Sequence, residues 1–163
     1  MRAIESKQRI NIPKDELWAH ITSPKHLELC HPYMLKHFGT TTGSLISDTI
    51  QYQNGVQFTR QSVLWLNGEG YDLLVGRKQG KKNRVSWRIK SADATSCDLT
   101  ISVVPESFKR SPSWLQWMAL KLYINPKVRL YLNAVTSGIK QLAESGEPID
   151  KSAFKTHSWF STE

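Results

Sequence analysis

Asp48 and Arg60 stand twelve residues apart on either side of a turn signal and carry opposite charges. If Gln53, Asn54 and Gly55 form a three-residue loop with Gly55 left-handed, Tyr52 pairs with Val56. Ile50 then faces Phe58, Asp48 faces Arg60 and Ile46 faces Ser62. A two-residue loop would group Val56 and Phe58 with Gln53 and Gln51, a poorer match of polarity. Asp48 and Arg60 are therefore expected side by side on the face that carries Ile50 and Phe58. If that face looks into a cavity, Arg60 can hold a carboxylate, enolate or phosphate through its planar fork. The plainer alternative is a structural ion pair at the cavity rim.

Four of the five histidines, His20, His26, His31 and His37, fall within 18 residues. Their spacing is not that of a metal-binding helix such as HExxH, and His26 with Cys30 makes only two ligands, so no metal and no cofactor are expected. His31, ahead of Pro32-Tyr33, is the candidate general acid or base, because an ordinary imidazole titrates near 6.5; the competing role is capping or packing. No nucleophile elbow, P-loop or dinucleotide fingerprint occurs, and Gly68-Glu69-Gly70 sits between strands rather than ahead of a helix. Cys30 and Cys97 form no disulfide framework and no CxxC pair.

The 163 residues are 39% hydrophobic and 22% charged, with 16 aromatics and net charge +8, the composition of one folded domain, expected to span 1–163. No run approaches a membrane span and the first residues hold no apolar stretch, so a cytoplasmic protein is expected. Between Asp72 and Asp93 there are seven basic residues and no acid. That run suits phosphates or an anionic membrane. It also suits a solvated hairpin, since Gly80 and Asn83 mark a turn and edge lysines keep sheets apart. Without a nucleic-acid-binding motif the hairpin reading is preferred and no nucleic-acid partner is expected.

These residues need elements to place them. Ile4, Ile10 and Ile12 alternate with polar residues as in a half-buried strand. Pro13 to Thr22 reads as a short helix with Leu17, Trp18 and Ile21 inward, and a second runs from Ser23-Pro24 to Cys30 with Ser23 as its N-cap. An irregular stretch with Gly39 and Gly43 follows, with at most a short strand near 37–43. Five strands then form a meander from Ser44 to Val104, with Tyr71, Leu73 and Val75, then Val85, Trp87 and Ile89, then Leu99, Ile101 and Val103 on one face. The segment 113–125 has helical length, and Asn125-Pro126 is expected to break it and start the next helix. In that helix Val128, Leu132, Val135, Ile139 and Leu142 make one apolar stripe, ended by Gly146. The tail 149–163, with Phe154, Trp159 and Phe160, is expected to dock on the body. The apolar and basic segment from Phe108 to Ile124, including Lys109, Arg110, Trp114, Trp117 and Met118, reads as a lid touching a membrane, a dimer interface or part of the core.

The order of elements, with Leu17-Trp18, His31-Pro32-Tyr33, Asp48 and Arg60, Gly70-Tyr71-Asp72, Glu144-Ser145-Gly146-Glu147-Pro148 and His157 with Trp159-Phe160, resembles the START-like, Bet v 1-like (SRPBCC) superfamily, within it bacterial polyketide cyclase/dehydrase and lipid-transport relatives. The resemblance covers nearly the whole chain. It implies an α+β helix-grip fold: a curved antiparallel sheet wrapped on the C-terminal helix around a cavity for hydrophobic ligands. In that fold His31 would lie near the cavity mouth. His31, Tyr33, Asp48 and Arg60 would then set specificity, with Phe58, Tyr71, Trp87, Met118, Leu132 and Val135 as walls, and Trp18 would brace the first helix. The expected function is binding or transport of a small lipid-like or aromatic molecule. A cyclase or dehydratase using His31, Asp48 and Arg60 is the enzymatic alternative, and a regulatory partner-binding domain a third. A monomer or homodimer, with transient membrane contact but no stable insertion, completes the expectation.

Overall fold

A computed structural model describes residues 3–105 and 114–162. Strand β1 (Ile4–Ile10) leads into helices α1 (Lys14–Thr22) and α2 (His26–Cys30). Six strands follow: β2 (Met34–Thr42), β3 (Leu45–Tyr52), β4 (Gln57–Leu66), β5 (Gly70–Gly76), β6 (Asn83–Ser91) and β7 (Cys97–Val104). They form one antiparallel sheet in the order β1-β7-β6-β5-β4-β3-β2. β1 crosses to pair with β7, so every other neighbour pair is a hairpin.

Alternation decides which way each strand faces. Tyr71, Leu73, Trp87, Ile89, Leu99 and Ile101 are buried on one face. The β3–β4 register pairs Ile50 with Phe58 and Asp48 with Arg60. Its turn closes with Tyr52 N–H donating to Val56 at 2.8 Å, and Gly55 takes φ +84°. That is the expected three-residue loop.

Three expectations are corrected. The stretch read as irregular is the nine-residue strand β2, paired along β3 from Met34 to Thr42. Its central residues, His37-Phe38-Gly39-Thr40, lack clean alternation, so only pairing with β3 reveals it. α2 begins at His26 rather than Ser23: Lys25 precedes it with φ 62°, and the Ser23 hydroxyl donates back to the His20 carbonyl instead of capping. Asn125-Pro126 does not break the helix. α3 (Trp114–Ala119) runs through a π-helical turn (Leu120–Ile124) into α4 (Asn125–Ser145). Pro126 has no N–H for the Leu122 carbonyl, and the wider turn, with Asn125 N–H donating to Leu120, absorbs that lost bond.

α4 packs on β1, β7 and α2. Its expected stripe is present, with Leu132, Val135, Ile139 and Leu142 buried and Val128 half-buried. The approach of α2 depends on Gly138, where a Cβ would lie 2.1 Å from the Cys30 carbonyl oxygen. α1 rests on an aromatic file across the sheet. Trp18 meets Trp65 edge-on at 5.1 Å, Trp65 stacks on Tyr71 at 5.4 Å, and Tyr71 stacks on Trp87 at 5.4 Å.

After Gly146 the tail crosses the molecule. Ile149 N–H donates to Leu29, Lys151 Nζ to the Met34 carbonyl at 2.7 Å, and Asn54 Nδ2 to the Trp159 carbonyl at 2.7 Å. The basic run of β5–β6 is partly neutralised, because Arg84 and Arg88 reach the buried Asp72 carboxylate at 2.9 and 2.7 Å. Phe108, Lys109 and Arg110 and the Trp117 side chain lie outside the described residues. Of the segment expected as lid, interface or core, Leu120 is buried, whereas Trp114, Met118, Leu122 and Tyr123 lie outside the core.

Candidate functional site

Because α4 packs closely on β1 and β7, its N-terminal half and strands β3 to β7 enclose a cavity of about 200 Å³. The sheet supplies Ile50, Tyr52, Phe58, Arg60, Leu73 and Trp87 among others. α4 supplies Val128, Tyr131, Leu132 and Val135, and the tail adds Trp159 and Phe160. Six of the residues selected from the sequence line it: His31, Phe58, Arg60, Trp87, Leu132 and Val135.

Four do not, each for a visible reason. Asp48 has no exposed side-chain surface and lies behind Arg60. It accepts from Arg60 Nε at 2.8 Å and Nη2 at 2.5 Å, and pairs with His37 Nε2 at 2.8 Å. Tyr33 stacks on Tyr131 at 5.9 Å and donates to the Lys155 carbonyl, so it secures the tail. Tyr71 belongs to the file beneath α1, its hydroxyl directed at the Ile21 carbonyl. Met118 is 40% exposed on α3.

Sequence reasoning missed Tyr52, Tyr131, Trp159 and Phe160. Tyr131 left a signal: Val128, Tyr131, Leu132 and Val135 are spaced i, i+3, i+4, i+7, the wider stripe of a core-facing helix. Tyr52 shares the parity of Asp48 and Ile50 on β3. Phe160, stacked on Tyr52 at 4.2 Å, comes from a tail without periodicity and gave none.

The polar groups form a directed chain. Tyr33 backbone N–H donates to His31 Nδ1 at 3.2 Å, so the ring proton resides on Nε2. That Nε2–H donates to the Tyr131 hydroxyl at 2.9 Å, and the Tyr131 and Tyr52 hydroxyls are 3.0 Å apart. If Tyr131 donates to Tyr52, the Tyr52 proton remains; if Tyr52 donates, the Tyr131 proton remains. Both phenols border the cavity, so either way one O–H is left to donate to an oxygen placed there. Arg60 borders the same space, and Asp48 takes two of its five N–H donors.

No family model matches the chain, and no curated protein matches it. Solved structures do. TTHA0849 from Thermus thermophilus superposes with a TM-score of 0.68 at 7% identity, covering 89% of this chain and 99% of that one. A norcoclaurine synthase from Thalictrum flavum gives 0.63 at 13% identity, covering 89% and 95%. DynU16, a protein of the dynemicin biosynthetic locus, gives 0.65 at 13% identity and 90% coverage, and this chain spans only 48% of it. The fold is the Bet v 1-like helix grip. At these identities the likeness is one of fold alone.

Within this helix grip, burial sets the charge states. It pushes His31 down to about 3, assisted by the Arg60 charge, and His26 down to about 4. Burial raises Tyr131 to about 12 and Tyr52 well above the ordinary phenol value. Burial alone would raise Asp48, but hydrogen bonds from His37 and Arg60 more than offset it and hold the carboxyl below its usual range. The Tyr52–Tyr131–His31 chain is therefore neutral, with the Asp48–Arg60 ion pair beside it. Burial thus holds His31, the candidate acid or base, well below the ordinary imidazole value. The four histidines also part company: His26 hydrogen-bonds the Ser23 carbonyl, His31 meets Tyr131, His37 meets Asp48, and His20 is half-buried on α1.

Proposed function

We propose that the chain binds or carries a small, mainly apolar molecule that bears a carbonyl or carboxylate oxygen. The observation behind this reading is a polar corner, the cluster of Tyr52, Tyr131, His31 and Arg60 at one side of a mainly apolar cavity. An apolar cavity of about 150 Å³ accommodates benzene, so about 200 Å³ suits one ring with a short substituent. The ring would sit among Phe58, Trp87, Leu132 and Val135. The oxygen would accept from the remaining phenol proton and from Arg60. Neutral, correctly protonated donors favour a hydrogen-bonded ligand over proton transfer, because a histidine near 3 is a weak base, and a Tyr131 phenol near 12 and a Tyr52 phenol raised by burial are weak acids at neutral pH.

Native mass spectrometry of the purified protein, followed by titration with acetophenone, benzoate and ethylbenzene, tests the reading. The oxygen-bearing rings are expected to bind more tightly than ethylbenzene. Tyr52→Phe with Tyr131→Phe, which removes both phenol donors, should remove about five- to tenfold of that preference while sparing ethylbenzene, the usual worth of one neutral hydrogen bond. Equal affinity for all three rings, or none for any, overturns it.

A second reading, a cyclase or dehydratase acting on a polyketide-like substrate, draws support from the likeness to a norcoclaurine synthase and to a protein of a biosynthetic locus. It requires turnover that Tyr131→Phe or Arg60→Met abolishes, whereas the binding reading expects affinity changes without turnover.

A further inference from the structure

The surface of α3 and the π turn is inverted relative to an ordinary surface helix. Trp114, Met118 and Leu122 recur every four residues, so they form one stripe, and they are 69%, 40% and 68% exposed. Tyr123 and Leu130 continue it at 56% and 43%. A surface helix normally turns polar residues outward.

Charge states what this stripe suits. Residues 107–143 contain no Asp or Glu but hold Lys109, Arg110, Lys121, Lys127, Arg129 and Lys140, within a chain of net charge +8. Lys121 and Arg129 are exposed beside the stripe. Lys127 lies over the Tyr123 ring at 4.9 Å and the Trp159 ring at 5.8 Å. A second copy of this chain would set like charges against like. An anionic surface would not, and Trp, Tyr and Leu beside Lys and Arg are the side chains that settle at a bilayer interface. No described helix is long and apolar enough to cross a membrane, so the contact is one of lying on the surface.

We propose that the α3–π-turn face docks the protein on an anionic lipid bilayer, with Trp114, Met118 and Leu122 entering the interface and Lys121 and Arg129 meeting the headgroups. Trp159 borders both Lys127 and the cavity, so the docking face adjoins the cavity wall. The inference stands on the helix surface and does not depend on what the cavity holds.

Flotation of the full chain with lipid vesicles tests it. Vesicles of phosphatidylcholine containing about 30 mol % phosphatidylglycerol are expected to carry the protein at about 0.1 M salt, and vesicles of phosphatidylcholine alone are not. Trp114→Ala with Leu122→Ala, and separately Lys121→Glu with Arg129→Glu, should each lower partitioning about tenfold or more. Lys78→Glu with Lys81→Glu, the same charge change on the β5–β6 loop, should leave most of the binding in place. All these positions are exposed, so unchanged circular dichroism and thermal midpoints are expected alongside. The proposal is overturned if the wild-type chain fails to float with the anionic vesicles or floats equally with neutral ones. It is also overturned if the loop variant loses as much binding as the helix variants. A concentration-dependent dimer that Trp114→Ala with Leu122→Ala dissolves, without vesicle binding, would assign the face to a second copy instead.

Discussion

His31 and His26 are basic groups that folding keeps neutral, and this sets how stability responds to acid. An unfolded imidazole takes up a proton below about 6.5. In the folded chain His26 waits until about 4 and His31 until about 3. Between those values the unfolded chain binds more protons, so stability is full above about 6.5 and falls as pH falls. The urea midpoint is expected to drop steadily from pH of about 6.5 to about 4, with a shallower slope in His31→Gln. An unchanged slope would mean that His31 is not buried neutral. Asp48 gives a second residue-level expectation. Asp48→Ala leaves the Arg60 charge buried without its carboxylate and should cost about 3–5 kcal/mol, whereas Asp48→Leu with Arg60→Met should restore most of it, since a matched apolar pair replaces a buried ion pair at little cost. Chemical denaturation of both variants separates a structural pair from a dispensable one.

At the scale of elements, the site depends on how α2 reaches α4. Gly138 allows the Cys30 carbonyl to approach α4, and that approach sets His31 against Tyr131 one hundred residues away. Gly138→Ala would place a methyl group 2.1 Å from that oxygen, so α2 must move. Such overpacking costs about 1–3 kcal/mol. The expected signature is a lower unfolding midpoint together with a weaker preference for oxygen-bearing rings, because the His31–Tyr131 bond lengthens. A loss of stability with that preference intact would separate α2 from the polar corner. The tail acts similarly from the other side: His157 Nε2 meets the Lys127 carbonyl at 3.0 Å and Phe160 stacks on Tyr52 at 4.2 Å, so α4, β3 and the tail hold one another.

At the scale of the molecule, the sheet packs on α4 and leaves a cavity beneath the helix's N-terminal half, which the proposed ligand would fill. Binding only the folded state stabilises it, by about 2.7 kcal/mol when ligand stands at a hundred times its dissociation constant. For a chain of 163 residues that is an upward shift of roughly 5–10 °C in thermal midpoint. Calorimetry with saturating acetophenone checks this against ethylbenzene at the same concentration, which should give a smaller shift if the polar corner contributes.

Local pattern was enough for much of this chain. Alternation located β1 and β5 to β7, because side chains of a half-buried strand repeat every two residues. Loop chemistry at Gln53-Asn54-Gly55 was enough to place Asp48 opposite Arg60, since turn length fixes register. β2 escaped because His37 to Thr40 carry no period, and the unbroken α3–α4 run escaped because a π turn can absorb a proline that an α-helix cannot. The pairing of Asp48 with Arg60 was readable, but its depth was not: the sequence cannot say that Arg60 faces the cavity and Asp48 sits behind it. Tyr52, Tyr131, Phe160 and His31 come from β3, α4, the tail and the end of α2, and no local rule links them. Their meeting follows from where α4 rests on the sheet and where the tail returns, and those are set by packing between residues distant in the chain.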